Sequence, residues 1–233
     1  AVKGASYDKE AGIARYSAAV EKPSYTYATG SSAVSLTVSF SLDMSTLPKS
    51  PFTDVVAGSW YFDAALYASS HNLMLGTSPT EFSPNITMTR GMLVTVLYRM
   101  NGSPSVSGKT PFTDVRTDEW YSAAVLWAYQ NGIVTGMSDT TFAPINNVTR
   151  EQMATILFRY TKTAAPDKAK ASADLSGFAD AGSVNDWAVD AMRWAVGQKL
   201  IAGITLEQSV YLQPRGNATR AQAATVLTRY YAQ

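Results

Sequence analysis

Hydrophobic and polar residues alternate near the start of the chain. Between residues 34 and 42 every second side chain is apolar and the others are Ser or Thr, a period of two that predicts a half-buried strand. Residues 13–20 and 25–29 show weaker strand patterns. Because two or three strands alone are marginal in water, residues 1–50 are expected to be a short β-rich segment. This segment either packs on the rest of the chain or is the tail of an upstream module.

The rest of the chain has apolar residues at helical spacing. Ala124, Trp127 and Ala128 fall in one stripe, and Gly132 is expected to end their helix because glycine adopts the left-handed conformation at little cost. Lys199 stands at the equivalent position further on and is a poorer stop, so that helix end is expected to differ. Other helices are predicted from runs that are apolar on most faces, at residues 93–97, 153–157 and 223–227.

These patterns belong to an internal repeat. Phe-Thr-Asp-Val starts at residue 52 and again at residue 112, and Trp-Tyr, Phe-x-Pro and Thr-Arg all return at the same shift of 60. A third copy aligns with shifts that grow from 66 to 70, which places insertions in its loops. We therefore predict three helix–loop–helix units, at residues 51–110, 111–176 and 177–233.

Each second helix is expected to start at a Thr-Arg pair. The pairs are Thr89–Arg90, Thr149–Arg150 and Thr219–Arg220. The threonine hydroxyl can cap the helix by accepting a bond from a free backbone N–H, worth about 1 kcal/mol. Gln152 and Gln222 complete capping boxes in the later copies, whereas the first copy has Met92 there and Gly91 in its first turn. The second helix of the first copy is therefore expected to fray most easily.

Composition excludes several classes of site. The 233 residues carry a net charge of +1, which argues against broad nucleic-acid binding. With no Cys and a single His, the chain cannot build thiolate sites or a His-based metal cluster. No pair of carboxylates recurs at a helical spacing that suggests glycoside hydrolysis, and no apolar run is long enough to cross a membrane. We expect no enzymatic activity, no metal and no cofactor, in a processed protein or an excised fragment.

The order of the motifs resembles the S-layer homology (SLH) family. The second copy carries Phe-x-Asp-Val at 112–115, an aromatic-led first helix, Gly-Ile-x-x-Gly at 132–136, Phe-x-Pro at 142–144 and a start similar to Ile-Thr-Arg-Ala-Glu at 148–152. The resemblance covers residues 51–233 in three ordered copies. Gly91 and Ala221 depart from it, because they replace the acidic residue of the second copy, and the third copy has a longer loop at 204–208.

The resemblance implies both a fold and a function. The fold is mainly α, with three SLH repeats in one pseudo-threefold, spindle-like bundle. Such modules are similar to the non-covalent cell-wall anchors of Gram-positive surface proteins, whose grooves between repeats bind secondary cell-wall polysaccharide, often pyruvylated. The implied location is the extracellular cell surface, and the implied cargo is an upstream module of the same polypeptide.

An arginine at a helix start suits an anionic sugar. The first turn of a helix presents unpaired N–H groups and the positive end of the dipole, and a guanidinium can grip a carboxylate in two places. Tryptophan rings can pack on sugar faces, and loop glycines let a ligand approach the backbone closely. The predicted ligand-binding residues are Arg90, Arg150, Arg220, Thr89, Thr149, Thr219, Trp60, Trp120, Trp187, Gly76, Gly136 and Gly203.

These positions also have structural interpretations. The arginines could bond carbonyls or acids of a neighbouring repeat, and the tryptophans are more often core anchors than sugar platforms. Asp54, Asp114 and Asp180 are expected to cap turns. For the whole chain, one alternative is a protein–protein assembly scaffold whose glycan sites have decayed. Another is part of a polysaccharide-active enzyme that includes residues 1–50.

Overall fold

Two strands near the N-terminus pair with each other in antiparallel orientation. The computed structural model describes residues 2–8, 13–18, 50–170 and 172–232. In the first two of these ranges, β1 (Val2–Asp8) pairs with β2 (Ile13–Ala18). β2 coincides with most of the strand predicted at 13–20, whereas β1 was not predicted. The strand patterns at 25–29 and 34–42 lie outside the described residues.

The remainder of the described chain is rich in helices, with two α-helices in each repeat. They are α1 (Phe62–Ser70), α2 (Arg90–Met100), α3 (Ser122–Gln130), α4 (Arg150–Ala164), α5 (Val189–Gly197) and α6 (Arg220–Tyr231). Short 3₁₀ turns at Pro166–Lys170, Ala181–Ser183 and Asp186–Ala188 connect α4 to α5. The helix-rich fold with two helices per repeat is as predicted. None of the described helices is long and apolar enough to span a membrane.

The main helix contacts join different repeats. α3 of repeat 2 packs against α2 of repeat 1, and α5 of repeat 3 packs against α4 of repeat 2. α1 of repeat 1 packs against α6 of repeat 3, so the sequence of contacts returns to its starting point. Each first helix therefore buries its apolar stripe against the preceding repeat, counted cyclically.

The segments just before the second helices contact one another. Met88 donates its N–H to the carbonyl of Ala218, Ala218 to that of Val148, and Val148 to that of Met88, at 2.8–2.9 Å. All three side chains are fully buried. Because the three bonds form a closed cycle, the starts of α2, α4 and α6 are fixed relative to one another.

The first helices end in the same way in all three repeats. Gly132 follows α3 with φ 68°, and Asn72 and Lys199 take the same left-handed conformation with φ 55° and 58°. The expectation of a different helix end at Lys199 is wrong. Two backbone bonds close that end, from Lys199 to Val196 and from Leu200 to Ala195. Together with the complete burial of Leu200, they offset the strain of a non-glycine residue at positive φ.

The predicted insertion in repeat 3 is a β-hairpin. Strand β3 (Ile204–Leu206) pairs antiparallel with β4 (Ser209–Tyr211). Repeats 1 and 2 have a compact turn at this position, closed by Met137 N–H to the Thr141 carbonyl in repeat 2. The loop between the two helices of repeat 3 therefore has a different shape from the equivalent loops of repeats 1 and 2.

Candidate functional site

The three Thr-Arg pairs begin the second helices as predicted. Thr89, Thr149 and Thr219 are the N-caps, and each hydroxyl accepts a bond from the backbone N–H three residues on, at 3.2 or 3.3 Å. Gln152 and Gln222 bond back to the cap backbone and complete the two predicted capping boxes. Because these hydroxyls are engaged in capping, a ligand role for the threonines stays a prediction.

The first-turn N–H groups of these helices are not open to a ligand. Arg90 donates its N–H to the carbonyl of Asn146, and Gly91 donates to that of Pro144, at 2.9 and 2.8 Å. The equivalent two bonds recur at the starts of α4 and α6. The predicted anion site on unpaired N–H groups is therefore wrong, because the next repeat satisfies those donors.

The guanidinium groups lie at the same junctions between repeats. Each Nε donates to a main-chain carbonyl of the next repeat: Arg90 to Phe142 at 2.9 Å, Arg150 to Leu212 at 2.7 Å and Arg220 to Phe82 at 2.8 Å. Each arginine is only 5% exposed. One edge of each guanidinium thus has the structural role that the alternative interpretation assigned to it.

The outer Nη atoms distinguish the three arginines. Every fully buried polar side-chain atom in the described part of the chain has a hydrogen-bond partner. The Nη atoms of Arg90 and Arg150 have no hydrogen-bond partner among those residues, so each is at least partly exposed. Arg220 instead donates from Nη2 to the carbonyl of Leu75 at 2.7 Å.

Burial and nearby charges act on these cations in opposite directions. Desolvation lowers the pKa of all three guanidinium groups, because burial disfavours a charge. A carboxylate raises the pKa in partial compensation, namely Asp114 for Arg90, Asp180 for Arg150 and Asp54 for Arg220. Arg159 further lowers the pKa of Arg90, because the two positive charges lie close together. Arginine nonetheless stays charged at neutral pH.

Groove 1 is a cavity of about 350 Å³ that all three repeats line. Arg90 comes from repeat 1 and Trp187 from repeat 3. Repeat 2 supplies the remaining lining residues, which are residues 134–137, Gln152, Thr155, Ile156 and Arg159. Two guanidinium groups and no carboxylate from the described chain line this groove, so its charge favours an anion.

Groove 2 has the same construction one repeat further on. Its volume is about 490 Å³, with Arg150 from repeat 2 and Trp60 from repeat 1. Repeat 3 supplies residues 200–204, Gln222, Thr225, Val226 and Arg229. The hairpin residue Ile204 forms part of the wall, and Arg229 donates to the carbonyl of Leu200 at 3.1 Å. Groove 2 is therefore also cationic but has a different rim.

The third junction, between Arg220 and repeat 1, departs from this pattern. Leu75 and Met92 stand where groove 1 has Thr135 and Gln152. The guanidinium of Arg220 also has two carbonyl acceptors instead of one. This junction is therefore less polar, and its arginine is less available to a ligand.

The predicted tryptophans are surface residues. Trp60, Trp120 and Trp187 are 65%, 59% and 54% exposed, so the core-anchor interpretation is wrong. In repeat 2 the neighbouring Tyr121 is buried instead and meets Trp120 edge-to-face at 5.1 Å. Two of the exposed rings line the grooves, whereas Trp120 lines neither groove 1 nor groove 2.

The sequence profile of the S-layer homology domain matches three stretches of the chain, residues 51–91, 111–154 and 177–224. Together they make up more than half of its length. The chain belongs to the S-layer homology domain family. The predicted resemblance and the three tandem repeats are thereby confirmed, and the family places the protein at the bacterial cell surface.

The SLH chain is similar to parts of much longer proteins. It is 34% identical over 178 residues to an endoglucanase of Bacillus sp. (strain KSM-635), which covers 76% of this chain and 18% of that protein. It is 32% identical over 154 residues to the surface-layer 125 kDa protein of Lysinibacillus sphaericus, 66% of this chain and 12% of that protein. It is 28% identical over 176 residues to an amylopullulanase of Thermoanaerobacterium thermosulfurigenes, which covers 76% of this chain and 9% of that protein.

The aspartates of the SLH Phe-x-Asp-Val motif bind loops that are distant in sequence. The two carboxylate oxygens of Asp114 accept N–H bonds from Phe142 and Ala143 at 2.8 and 2.7 Å. Asp54 and Asp180 make the equivalent pair of bonds in the other repeats. The aspartates therefore cap turns as expected. The loop that each of them caps also carries the carbonyl that accepts the arginine Nε bond.

The SLH glycines are explained by protein contacts. A Cβ atom on Gly136 would lie 2.5 Å from the Ser138 carbonyl oxygen, 2.6 Å from the Phe112 ring and 2.8 Å from the Thr141 carbonyl oxygen. A Cβ atom on Gly76 would meet three heavy atoms at 2.7 Å or less, and one on Gly203 would meet two side chains at 2.6 and 2.8 Å. Gly136 and Gly203 do line the grooves, but close approach of a ligand is not needed to account for them.

The acidic residue that only repeat 2 retains lies outside the grooves. The carboxylate of Glu151 is buried and accepts bonds from the backbone N and the side-chain Nδ2 of Asn185, at 3.1 and 2.5 Å. In repeat 1, a Cβ atom on Gly91 would lie 2.9 Å from the Pro144 carbonyl oxygen. This position therefore follows the packing of each junction.

Sequence reasoning missed a second set of groove residues. One face of α4 lines groove 1 with Gln152, Thr155 and Arg159. The equivalent face of α6 lines groove 2 with Gln222, Thr225 and Arg229. They recur at fixed distances from the Thr-Arg pair, with the three- and four-residue spacings that bring helix side chains together. That periodicity was a usable signal, but the glutamines were assigned only to capping, and the arginines in the last turns of the helices were not considered as ligand-binding residues.

Proposed function

We propose that this chain is the anchoring part of a bacterial surface protein and that grooves 1 and 2 bind an anionic secondary cell-wall polysaccharide. The observation that carries the proposal is the state of Arg90 and Arg150. Each guanidinium is held at Nε by a protein carbonyl, while its Nη edge has no hydrogen-bond partner in the described chain. A cation fixed at one edge and open at the other is preorganised for an anionic group.

The chemistry of the grooves suits a sugar that carries a carboxylate, such as a pyruvyl ketal. The open Nη edge of Arg90 can pair with the carboxylate, and Arg159 adds a second positive charge in the same groove. The exposed ring of Trp187 offers an apolar face to the sugar ring. Groove 2 has the same set in Arg150, Arg229 and Trp60. Two weak sites on one polymer would reinforce each other through avidity.

The third junction contributes less in this proposal. Arg220 donates from Nη2 to the Leu75 carbonyl, and Met92 stands at the position that Gln152 and Gln222 occupy in grooves 1 and 2. Ligand roles for Arg220, Trp120 and Gly76 stay predictions, with an expected effect on polymer affinity smaller than that of the groove 1 and groove 2 residues.

The ring of contacts between repeats supports the pseudo-threefold, spindle-like arrangement as a proposal. It rests on the cyclic bonds among Met88, Val148 and Ala218 and on the cyclic helix pairing. The proposed repeat boundaries remain 51–110, 111–176 and 177–233. Residues 1–50 are proposed to belong to, or to lead from, a cargo module of the same polypeptide.

We further propose that the chain itself is not catalytic. The enzymes among its relatives are many times longer than the shared part, which is 18% of the endoglucanase and 9% of the amylopullulanase. An anchor that recurs in proteins with different names is consistent with a shared attachment role. The scaffold and enzyme alternatives are outcomes of the same test.

A sedimentation assay with purified cell walls tests the proposal. The chain should co-sediment with intact walls and remain soluble with walls stripped of secondary polymer. The double variant Arg90→Ala/Arg150→Ala should lose most binding, whereas Arg116→Ala should keep it, because Arg116 is exposed and pairs with Asp118 at 2.7 Å. Circular dichroism must show that each variant is folded. Binding that ignores both polymer removal and the double substitution would favour a scaffold, and release of sugar would favour an enzyme.

A further inference from the structure

The loop that supplies each groove with its arginine acceptor is strained. Ala143 follows Phe142 with φ 59°, and Gln213 follows Leu212 with φ 49°. Ser83 takes the same conformation in repeat 1, with φ 55°. The left-handed region is unfavourable for residues with a Cβ atom, so three equivalent non-glycine residues there need a common stabilising contact.

A carboxylate provides that contact in every repeat. Asp114 accepts the N–H groups of Phe142 and Ala143, and Asp180 accepts those of Leu212 and Gln213, at 2.7–2.8 Å. Hydrogen bonds to an ionised acceptor are stronger than neutral ones, and two on consecutive N–H groups fix the peptide plane between them. The carboxylate therefore selects the backbone conformation of the loop.

The residue held in this way is also the residue that holds the arginine. The carbonyl of Phe142 accepts from Arg90 Nε at 2.9 Å, and that of Leu212 accepts from Arg150 Nε at 2.7 Å. Because the Nε bond determines which edge of the guanidinium faces the groove, the direction of that carbonyl sets the direction of the binding edge. Within the described chain, neither aspartate forms an ion pair within 4.0 Å of these arginines. Each aspartate attracts its arginine from a longer distance, and the hydrogen-bonded connection between them runs through the loop.

We infer that Asp114 and Asp180 are positioning residues for polymer binding, each orienting the groove arginine of the preceding repeat through the strained loop that it caps. The inference rests on the proposed function of grooves 1 and 2. It assigns a binding role to a motif that lines neither groove. Each groove then depends on the repeat before it for the guanidinium, on its own repeat for the acceptor loop and on the third for the tryptophan.

Repeat 1 contains a matched control. Asp54 accepts from Phe82 and Ser83 at 2.8 and 2.6 Å, and the Phe82 carbonyl accepts from Arg220, so the local contacts are the same. Arg220 has the Leu75 carbonyl as a second anchor and lies at the junction that we propose contributes less. Asp54→Asn should therefore resemble the other two substitutions in stability but not in polymer binding.

The test compares Asp114→Asn/Asp180→Asn with Asp54→Asn and with Asp118→Asn, a removal of the same charge from an exposed position. Affinity for purified secondary polymer is measured by calorimetry at a temperature where circular dichroism shows every variant folded. We expect the double variant to bind about tenfold or more weakly, the scale of losing a hydrogen bond to a charged group. Asp54→Asn and Asp118→Asn should stay within about twofold of the parent, as for an exposed charge.

A rescue experiment separates positioning from a general loss of stability. In the Asp114→Asn/Asp180→Asn background, Ala143→Gly and Gln213→Gly relieve the positive-φ strain without restoring the carboxylates. If the aspartates act by holding the loops, the glycines should recover part of the affinity. The Arg90 and Arg150 Nε–Hε signals in ¹H–¹⁵N spectra should lose protection from exchange in the double variant and regain it with the glycines.

Three results would overturn the inference. One is a folded Asp114→Asn/Asp180→Asn variant that binds polymer as the parent does, while Arg90→Ala/Arg150→Ala does not bind. Another is that Asp54→Asn loses as much polymer affinity as Asp114→Asn/Asp180→Asn. The inference also fails if the glycine substitutions restore the Nε–Hε signals but not the affinity. If the arginine double variant itself binds normally, the proposed function fails instead, and the two failures are thus distinguishable.

Discussion

Two glycines of repeat 2 make a sharp comparison, because both have positive φ but only one is confined. Gly132 has φ 68° and Gly136 has φ 80°. A Cβ atom at Gly132 would meet nothing within 4 Å, whereas at Gly136 it would meet three heavy atoms at 2.5–2.8 Å. Two of those three atoms are backbone carbonyl oxygens, which cannot move aside without breaking the turn.

The magnitudes depend on these surroundings. Alanine in the left-handed region costs about 1–2 kcal/mol, and a lower chain entropy of the unfolded state returns roughly 0.4–1 kcal/mol. Gly132→Ala should therefore cost about 1 kcal/mol or less, in keeping with Asn72 and Lys199 at the equivalent positions. Gly136→Ala adds an overpacking cost of roughly 1–3 kcal/mol, for a total of about 1–4 kcal/mol.

Urea denaturation followed by circular dichroism measures the difference directly. The two variants should have the same m-value as the parent and differ from each other in free energy of unfolding by about 1–3 kcal/mol. Gly136→Ala should also weaken binding at groove 1, which Gly136 lines and Gly132 does not. Equal losses of stability would refute the assignment of Gly136 to close packing against Phe112 and the turn.

Three further outcomes test the helix starts and the core. Glu151→Ala should cost about 1–3 kcal/mol in urea denaturation because it leaves the Asn185 donors without their buried acceptor, and a cost near zero would contradict the role of this contact. Amide exchange should be faster at Met92 in α2, whose start lacks a capping box, than at Gln152 in α4, and equal protection would refute the expected fraying. Burial raises the pKa of Tyr160 to about 12, and a raised pKa means that the folded state favours the neutral phenol. Stability should therefore be complete below about pH 10, the ordinary value for Tyr, and fall as the pH rises towards 12. Tyr160→Phe should lose less stability than the parent over that range, and identical alkaline curves would contradict this.

The local features of the fold could be predicted from the sequence, because short segments determine them. The caps at Thr149 and Thr219 depend on residues only three positions apart, and both capping boxes are present. The left-handed turn at Gly132 is likewise a local event. Lys199 shows the limit, because bonds to the preceding helix and the burial of Leu200 override the poor intrinsic preference of lysine at that turn.

The grooves could be predicted only in part, because three different repeats line each of them. Arg90 and Trp187 are about a hundred residues apart in the chain yet line one cavity. The free N–H groups expected at the helix starts are taken by Asn146, Pro144 and their equivalents, an arrangement that only the cyclic assembly creates. The exposure of Trp60 was missed for a related reason, since an aromatic residue ahead of a helix can face either the core or a neighbouring groove.

The most direct test of anchoring through the grooves is a ¹H–¹⁵N titration of the labelled chain with purified secondary cell-wall polysaccharide fragments. We predict that the indole signals of Trp187 and Trp60 and the Nε–Hε signals of Arg90 and Arg150 shift together and saturate. The indole of Trp194, which is buried and bonded to the Lys168 carbonyl at 2.9 Å, should stay in place. Saturable binding that leaves the four groove signals unchanged would contradict the claim that these arginines are the anchoring contacts.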